Sequence, residues 1–467
     1  MEFCDTLFGM MLKMDDVFPQ ERTMMKAIRT AFCLLLNPGR NTITQSLVYG
    51  GLDDTDWSSA FKLFSRSKWD DAALFDAVIE ETIPYFEENY ISVAVDDTKI
   101  KKTGKKIPGT GYYRDPLSPH FCNNLIYGHR ILQFAALLPL YKQLNLEDIK
   151  EDDHVHVSRG IPVSVTNVPA VKKPGRRASE QEKSEYLILK KKNNLSVAFV
   201  EKAIELRQRY DALGAQDKPL LILADGSFCN STVFQADLEN TYIAARCRKD
   251  ARLCFEDTTS SKRFYSKETF TPLSVRQDEN IPYIQTKLFV GKKLRKVKYK
   301  EIKDVLWQRG AKRRKQRLIV ISPKPYKSYG QKQMYKQEAY ILTNNYDLDA
   351  ETIIQQYINR WEIEVNHRDE KNNLGLGQAQ VWNPHSVEKV PSLLIAAYSI
   401  MLLASLKTYG PNRTEDYLPL PKWRKGSVRP SCNDLVNQLR REIIGNTKLQ
   451  DALNIHPGIR SAYCVNQ

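Results

Sequence analysis

The fold is decided by LLILADG, residues 220–226. Its first five residues are apolar on both faces of a strand, which is typical of a central, fully buried strand of a sheet. An earlier run, ISVAV at residues 91–95, is also β-prone and stops at Asp96. In α/β sheets, functional sites form at the carboxyl ends of strands, which is where Asp96 and Asp225 stand.

Other strand and helix patterns surround these two runs. Residues 125–138 and 161–165 are strand candidates, whereas residues 180–190 and 195–213 have helical patterns. Strands mixed with helical segments predict an α/β core, in which a mixed sheet is flanked by helices.

The N-terminal region, residues 1–88, has the pattern of a helical region. Residues 41–42 are suited to cap a short helix that glycines 50–51 would end, and Asp56 is suited to cap a second one. Two short helices separated by a glycine turn permit a helix-turn-helix that contacts DNA. A plain helical bundle explains the pattern almost as well.

Residues 249–340 combine short β-prone pieces with dense positive charge. Two runs of lysine and arginine, the second of which contains Arg313 and Arg314, lie on either side of Trp307. One such run alone indicates a solvated surface, but cations interleaved with aromatic rings suit phosphate contact and base stacking. We therefore expect a β-rich basic insertion that contacts DNA.

A further basic segment, KIKKTGKK at residues 99–106, follows the first aspartate directly. Its position favours a DNA channel lined by Lys101 and Lys105 over a solvated loop. The segment lacks the G-x-x-x-x-G-K-[ST] pattern of a phosphate-binding loop, so no nucleotide cofactor is expected.

Composition limits the partners of the chain. The 467 residues suffice for roughly three domains, and the net charge of +15 indicates a polyanion, either nucleic acid or an acidic membrane surface. The longest apolar stretch, residues 393–406, is shorter than the roughly 20 residues that span a bilayer. No signal peptide pattern is visible and the cysteines are scattered, so we expect a cytoplasmic protein without a membrane partner.

The segment YINRWEIEVNHRDEK, residues 357–371, predicts a long helix from about residue 350 to 373. At 100° per residue, its chemically active side chains fall in a stripe of about 80°: Tyr357, Arg360, Glu364, His367 and Lys371. A separate apolar stripe lies beside it: Ile354, Ile358, Trp361 and Val365. Charge pairs on a surface helix explain the first stripe, but not why it borders the apolar one.

A catalytic role gives that position a reason. In two-metal phosphoryl transfer, carboxylates hold two divalent ions about 3.5–4 Å apart, and such hard cations prefer oxygen ligands. Glu364 would complete a set with Asp96 and Asp225. Arg360 and Lys371 would then hold phosphates, with Tyr357 as a hydrogen-bond partner.

The spacing Tyr357-x2-Arg360-x3-Glu364-x6-Lys371 resembles the Y-R-E-K signature of bacterial DDE transposases encoded by insertion sequences. These proteins have their first aspartate in a D-x-T sequence, and their second after an apolar strand. A β-rich insertion separates the second aspartate from the glutamate. The resemblance covers roughly residues 40–410. The D-x-T pattern favours Asp96 as the first metal ligand, with Asp97 as the alternative.

The resemblance implies an RNase H-like catalytic core that binds two Mg²⁺ or Mn²⁺ ions through Asp96, Asp225 and Glu364. It also implies that an aromatic residue of the insertion stabilises a flipped base, for which Trp307 is the candidate. The expected domains are a helical DNA-binding region, a first core part, the insertion, a second core part and a helical C-terminal region: 1–88, 89–248, 249–340, 341–410 and 411–467.

The implied function is that of a DNA transposase. The protein would cut at terminal inverted repeats and transfer the freed 3′-hydroxyl to target DNA, with a homodimer in the synaptic complex. It would act in the bacterial cytoplasm, at the nucleoid. Two alternatives remain: an inactive DNA-binding protein derived from a transposase, and another RNase H-like nuclease such as a resolvase or repair enzyme.

Overall fold

The computed structural model of the chain describes eleven segments: residues 2–54, 56–87, 89–115, 119, 121–122, 124–140, 155–259, 262–326, 334–336, 338–423 and 428–456. Together they form a mixed α/β structure around a twelve-stranded, mostly antiparallel sheet.

Five helices lead the described chain: α1 Phe3–Leu12, α2 Glu21–Leu36, α3 Ile43–Tyr49, α4 Ser58–Ser65 and α5 Asp76–Thr82. The Thr42 hydroxyl caps α3 by accepting a hydrogen bond from Gln45 N at 3.2 Å. Asp56 accepts one from Ser58 N at 3.0 Å before α4. Both predicted caps are therefore confirmed. Helices α3 and α4 pack against α2, and a DNA contact of this region remains a prediction.

The first half of the sheet contains six strands: β1 Ile91–Lys101, β2 Gly111–Arg114, β3 Leu125–Pro139, β4 Ser158–Asn167, β5 Leu220–Ala224 and β6 Thr241–Arg246. Strands β1, β5 and β6 are parallel neighbours, and β3 pairs antiparallel with β1, β2 and β4. Helices α6 Glu180–Lys192 and α7 Leu195–Ala212 precede β5, and the short helix α8 Ser231–Phe234 follows it. The predicted strands and helices of this half are confirmed.

The prediction that the first strand stops at Asp96 is wrong. Strand β1 continues to Lys101, because β3 goes on pairing with it from Asp96, opposite Gln133, to Lys101, opposite Gly128. Its parallel pairing with β5 ends earlier, at Val95.

The basic segment extends the same sheet. Its elements are β7 Leu253–Glu256, β8 Tyr265–Phe270, α9 Pro272–Gln277, β9 Ile284–Val290, β10 Lys293–Leu306, α10 Gln308–Ala311 and β11 Lys315–Ile321. A separate hairpin of β12 Lys324–Tyr326 and β13 Met334–Lys336 precedes β14 Ala339–Thr343. Strand β14 joins β11 to β6, so these strands lie beside the first half of the sheet. The domain boundaries themselves remain a prediction.

The last five helices of the described chain are α11 Ala350–Asn359, α12 Trp361–Asn372, α13 Pro384–Tyr409, α14 Cys432–Gly445 and α15 Thr447–Leu453. Helix α13 begins earlier than predicted, because Asn383 caps it by accepting from His385 N and Ser386 N. By length and composition α13 would be able to cross a membrane, but 94% of its most apolar window is buried within the protein. It packs against β4 and the N-terminal helices as a core helix. The end of the predicted C-terminal region, residues 457–467, lies outside the described residues.

Arg317 connects β10, β11 and the turn after β14. Its guanidinium is 2% exposed, pairs with Glu301 at 2.6 Å and donates to the carbonyl oxygens of Asn345 and Leu348. Removing one partner of a buried ion pair leaves an uncompensated charge, which is strongly destabilising.

We predict that Arg317→Met lowers the free energy of unfolding by about 3–5 kcal/mol, as measured by urea denaturation. The control is Arg309→Met, which removes an exposed arginine from α10. Equal stability of the two variants would show that the Arg317 contacts contribute nothing.

Candidate active site

Two aspartates stand side by side at the end of the parallel strands. Val95 of β1 pairs with Ala224 of β5, and Asp96 and Asp225 are the next residues of the two strands. Asp225 is half-buried and accepts hydrogen bonds from Ser227 N at 2.9 Å and Ser227 Oγ at 2.6 Å. Its negative charge acts on Asp96 and on Arg360. The strand topology therefore brings the two predicted aspartates together.

Helix α12 packs across β1, β3 and β4 and brings Glu364 to the same place. Arg360, at the start of this helix, joins the carboxylates. Its Nη2 lies 3.0 Å from Glu364 Oε1, and its Nη1 lies 3.5 Å from Asp96 Oδ2. The Arg360 side chain is only 13% exposed, so the bridge between Asp96 and Glu364 is largely shielded from water.

Tyr357 and Lys371 surround the same group. Lys371 Nζ donates a hydrogen bond to Thr98 Oγ1, two residues beyond Asp96 on the same face of β1. The guanidinium of Arg360 lies 5.9 Å from the centroid of the Tyr357 ring. Burial raises the pKa of Tyr357, so its hydroxyl remains a hydrogen-bond donor. The structure thus gathers the helix residues predicted from the stripe around Asp96.

Asp97 points away from this group, because successive side chains of a strand alternate between its faces. Arg130 of β3 binds its two carboxylate oxygens, from Nε at 2.8 Å and Nη2 at 2.9 Å. Lys99 lies 3.7 Å from the same carboxylate. This geometry supports Asp96 over Asp97 as the candidate ligand.

The chain matches the family model described as DDE superfamily endonuclease over residues 16–314, more than half of its length. It belongs to the DDE superfamily of endonucleases. No curated protein sequence matches the chain. The family match includes Asp96 and Asp225 and ends before the segment from Tyr357 to Lys371, so the third carboxylate rests on the site geometry and the sequence pattern. An endonuclease of this family acts on DNA, and such nucleases typically use divalent metal ions.

The donor set of this DDE endonuclease fits such ions. Burial raises the pKa of Asp96 to about 7; Arg360 opposes the shift, and the charges of Asp225 and Asp97 add to it. A carboxylate that holds its proton near neutrality lacks enough positive charge around it. Three carboxylates around one region are suitable ligands for hard cations.

The three carboxylates do not yet form one compact cluster. Although all three residues belong to the described chain, their oxygens do not all lie within 4.8 Å of one another. The guanidinium of Arg360 lies between two of them. Sharing a cation therefore requires that Arg360 move away from Asp96 and Glu364.

The continuous helix predicted for residues 350–373 is wrong at one residue. Helix α11 ends at Asn359 and α12 begins at Trp361, with a tight turn in which Ile363 N donates to Arg360 O at 3.1 Å. The turn shifts the phase of the helix. Trp361, predicted to pack in the apolar stripe, is 62% exposed, and Ile363 is buried instead.

The remaining DNA-contact candidates lie in three other places. Trp307 is half-buried and packs edge-to-face on Phe234, with ring centroids 5.7 Å apart. Arg314 pairs with Asp237 at 3.5 Å, and Arg313 lies over the Phe264 ring at 5.0 Å.

Lys101 at the end of β1 and Lys105 in the turn beyond it are exposed. Within the described segments, none of the five candidates outside the helix is hydrogen-bonded or ion-paired to the three carboxylates. Because Trp307 already packs on Phe234, its predicted stacking on a flipped base would require that ring to leave its place.

Sequence reasoning missed the residues that hold α12 on the sheet. Gln133 of β3, opposite Asp96, donates to Glu370 Oε1 at 2.9 Å. Burial raises the pKa of Glu370 to about 8 and lowers that of His367 to about 3. Only the register of β3 against β1 reveals Gln133 and Arg130, because neither lies in a recognisable motif.

We predict that Asp96→Asn and Asp97→Asn separate the two roles. Loss of outer-shell partners alone lowers metal affinity by roughly 10- to 100-fold, so Asp96→Asn should lower Mn²⁺ affinity at least that much, as measured by electron paramagnetic resonance. Asp97→Asn should leave the affinity within the same order of magnitude and lower the melting temperature, because Arg130 loses its partner. The reverse pattern would assign the metal to Asp97.

Proposed function

We propose that the protein is a DNA transposase that cuts at the terminal inverted repeats of its element and transfers the freed 3′-hydroxyl into target DNA. Membership in the DDE superfamily supports the endonuclease step. One observation carries the rest: Asp96 and Glu364 share Arg360, beside Asp225. That constellation is what the resemblance to Y-R-E-K transposases requires of these residues.

The strand order supports an RNase H-like core. Along the sheet, β4, β3 and β1 are antiparallel neighbours, and β1, β5 and β6 follow as parallel ones. Helices α6 and α7 form the crossover before β5. In this proposal β1 and β5 supply the aspartates, and α12 supplies the glutamate from one face of the sheet.

The mechanism assigns each side chain a task. Asp96, Asp225 and Glu364 would hold two Mg²⁺ or Mn²⁺ ions. When bound, such ions activate the attacking oxygen and stabilise the leaving oxygen of a phosphodiester. Once released from the carboxylates, Arg360 would pair with a DNA phosphate. Lys371 and the hydroxyl of Tyr357 lie beside it and would hold the same backbone.

The partners follow from this proposal. Double-stranded DNA would be held by cations outside the carboxylate site, including Lys101, Lys105, Arg313 and Arg314. Synapsis of two transposon ends needs at least two protomers, so a homodimer is proposed for the DNA complex. Action on the element's own DNA would place the protein in the bacterial cytoplasm at the nucleoid.

We predict that Arg360→Gln raises the Mn²⁺ affinity of the DNA-free protein. The variant loses the positive charge that competes with the ions for Asp96 and Glu364. Without metal its melting temperature should fall, since these carboxylates then repel each other and Asp225 without a counterion. Isothermal titration calorimetry and differential scanning calorimetry measure the two effects.

The matched control for this experiment is Arg368→Gln. Arg368 lies on the same helix, is 63% exposed and pairs with Asp369 at 3.6 Å. We expect neither its metal affinity nor its melting temperature to change appreciably. A metal affinity of Arg360→Gln no higher than that of this control would refute the competition between Arg360 and the ions.

We predict that Glu364→Gln abolishes metal-dependent cleavage of DNA that carries the terminal repeats, which are found in the DNA flanking the gene. Losing several kcal/mol of transition-state stabilisation slows cutting on the order of 10³-fold. DNA affinity should change little, because cations hold the DNA. Gel assays of cleavage, strand transfer and binding measure all three.

Glu362→Gln is the control for this prediction. Glu362 lies two residues away and pairs with Arg429 at 2.8 Å, away from the carboxylate group. Its variant should cut DNA when folded. Cutting by Glu364→Gln at the wild-type rate would remove Glu364 from the site. Wild-type protein that cuts without strand transfer would be a simple nuclease, and one that only binds DNA an inactive derivative.

A further inference from the structure

Helix α6, Glu180–Lys192, has no buried residue along its 13 positions. Three consecutive apolar side chains near its middle are largely exposed: Leu187 at 63%, Ile188 at 65% and Leu189 at 47%. An isolated helix of this length is only marginally stable in water. A contiguous exposed apolar patch of this kind marks an interaction site.

The side of α6 that faces the protein is identified by its two half-buried residues, Lys183 and Tyr186. At 100° per residue, Ile188 points about 160° away from Tyr186 and so faces outward. Glu185 and Lys191 each lie three residues from Ile188, about 60° to either side of it. The outward face therefore carries one apolar residue between an acidic and a basic one.

The sequence EYLILKK, residues 185–191, is self-complementary about Ile188. When a second copy of α6 runs antiparallel with its Ile188 opposite the first, Leu187 meets Leu189, and Glu185 meets Lys191. Both contacts occur twice, as a two-fold axis requires. Lys191 forms no ion pair within the segments that the structure describes, so its charge is available to a partner.

We propose that α6 pairs antiparallel with α6 of a second copy of this chain, about a two-fold axis at Ile188. DNA fits this face less well, because the N-terminal half of α6 carries three glutamates that repel phosphate: Glu180, Glu182 and Glu185. In a second copy those same acids meet the lysines of the other helix. The proposal concerns the free protein and does not depend on its proposed function.

Cross-linking of the full chain tests the position of the axis. A cysteine at 188 (Ile188→Cys) lies next to its own copy in the pair, so a short bismaleimide should link it into a dimer. Ile204→Cys is the control, because Ile204 is an exposed residue of the neighbouring helix α7. The unmodified chain gives the background from its native cysteines. Equal cross-linking at 188 and 204 would overturn the proposal.

Charge reversal tests the register. In the Ile188→Cys background, Glu185→Lys or Lys191→Glu alone places like charges opposite each other twice, and each should lower the cross-linked fraction about tenfold. An equimolar mixture of the two variants restores opposite charges and should restore the dimer. Circular dichroism checks that each variant is folded.

Two results contradict this pairing. A mixture that cross-links no better than the single variants shows that the two charges do not face each other. Single reversals that alter DNA affinity and leave the cross-linked fraction unchanged show that α6 contacts DNA instead of a second copy.

Discussion

The site depends on the contact of one guanidinium with two carboxylates. Asp96 and Glu364 are brought into a partly buried region beside Asp225, where their mutual repulsion is weakly screened. Arg360 offsets that repulsion from 3.5 and 3.0 Å. The compensation is incomplete, because the pKa of Asp96 is still raised to about 7, mainly by burial. The region is therefore built to take up more positive charge than the chain provides.

Strand register decides which aspartate enters this region. A shift of β1 by one residue would exchange the faces of Asp96 and Asp97. Two contacts oppose such a shift. Arg130 holds Asp97 on the far face through two hydrogen bonds, and β5 pairs with β1 only as far as Val95. The ion pair on one face thereby determines which carboxylate is presented on the other.

The sequence alone identified the central strands and the residues of the site, because both leave local signals. The apolar run before Asp225 needs only its own composition, and the spacing from Tyr357 to Lys371 needs only the helical repeat. The longer β1 and the break at Arg360 depend on contacts with distant segments. Pairing with β3 extends β1, and the contacts of α12 with the sheet favour Ile363 over Trp361 as the buried residue.

The buried face of α12 explains why that break matters. A typical helix buries apolar residues, but this one buries Asn366, His367, Asp369 and Glu370 together with Ile363. Polar groups buried in this way must meet particular partners. Glu370 meets Gln133, and Glu362 meets Arg429 and Gly160 N on the β4 side.

An apolar helix can slide along a sheet at small cost, whereas these hydrogen bonds are lost if α12 moves by one turn. We interpret the polar face as the feature that fixes Glu364 opposite Asp96. The tight turn at Arg360 then leaves α11 free to follow its own apolar contacts through Ile353 and Ile354. A continuous helix would have to satisfy both sets of contacts in a single phase, and the predicted position of Trp361 shows that it does not.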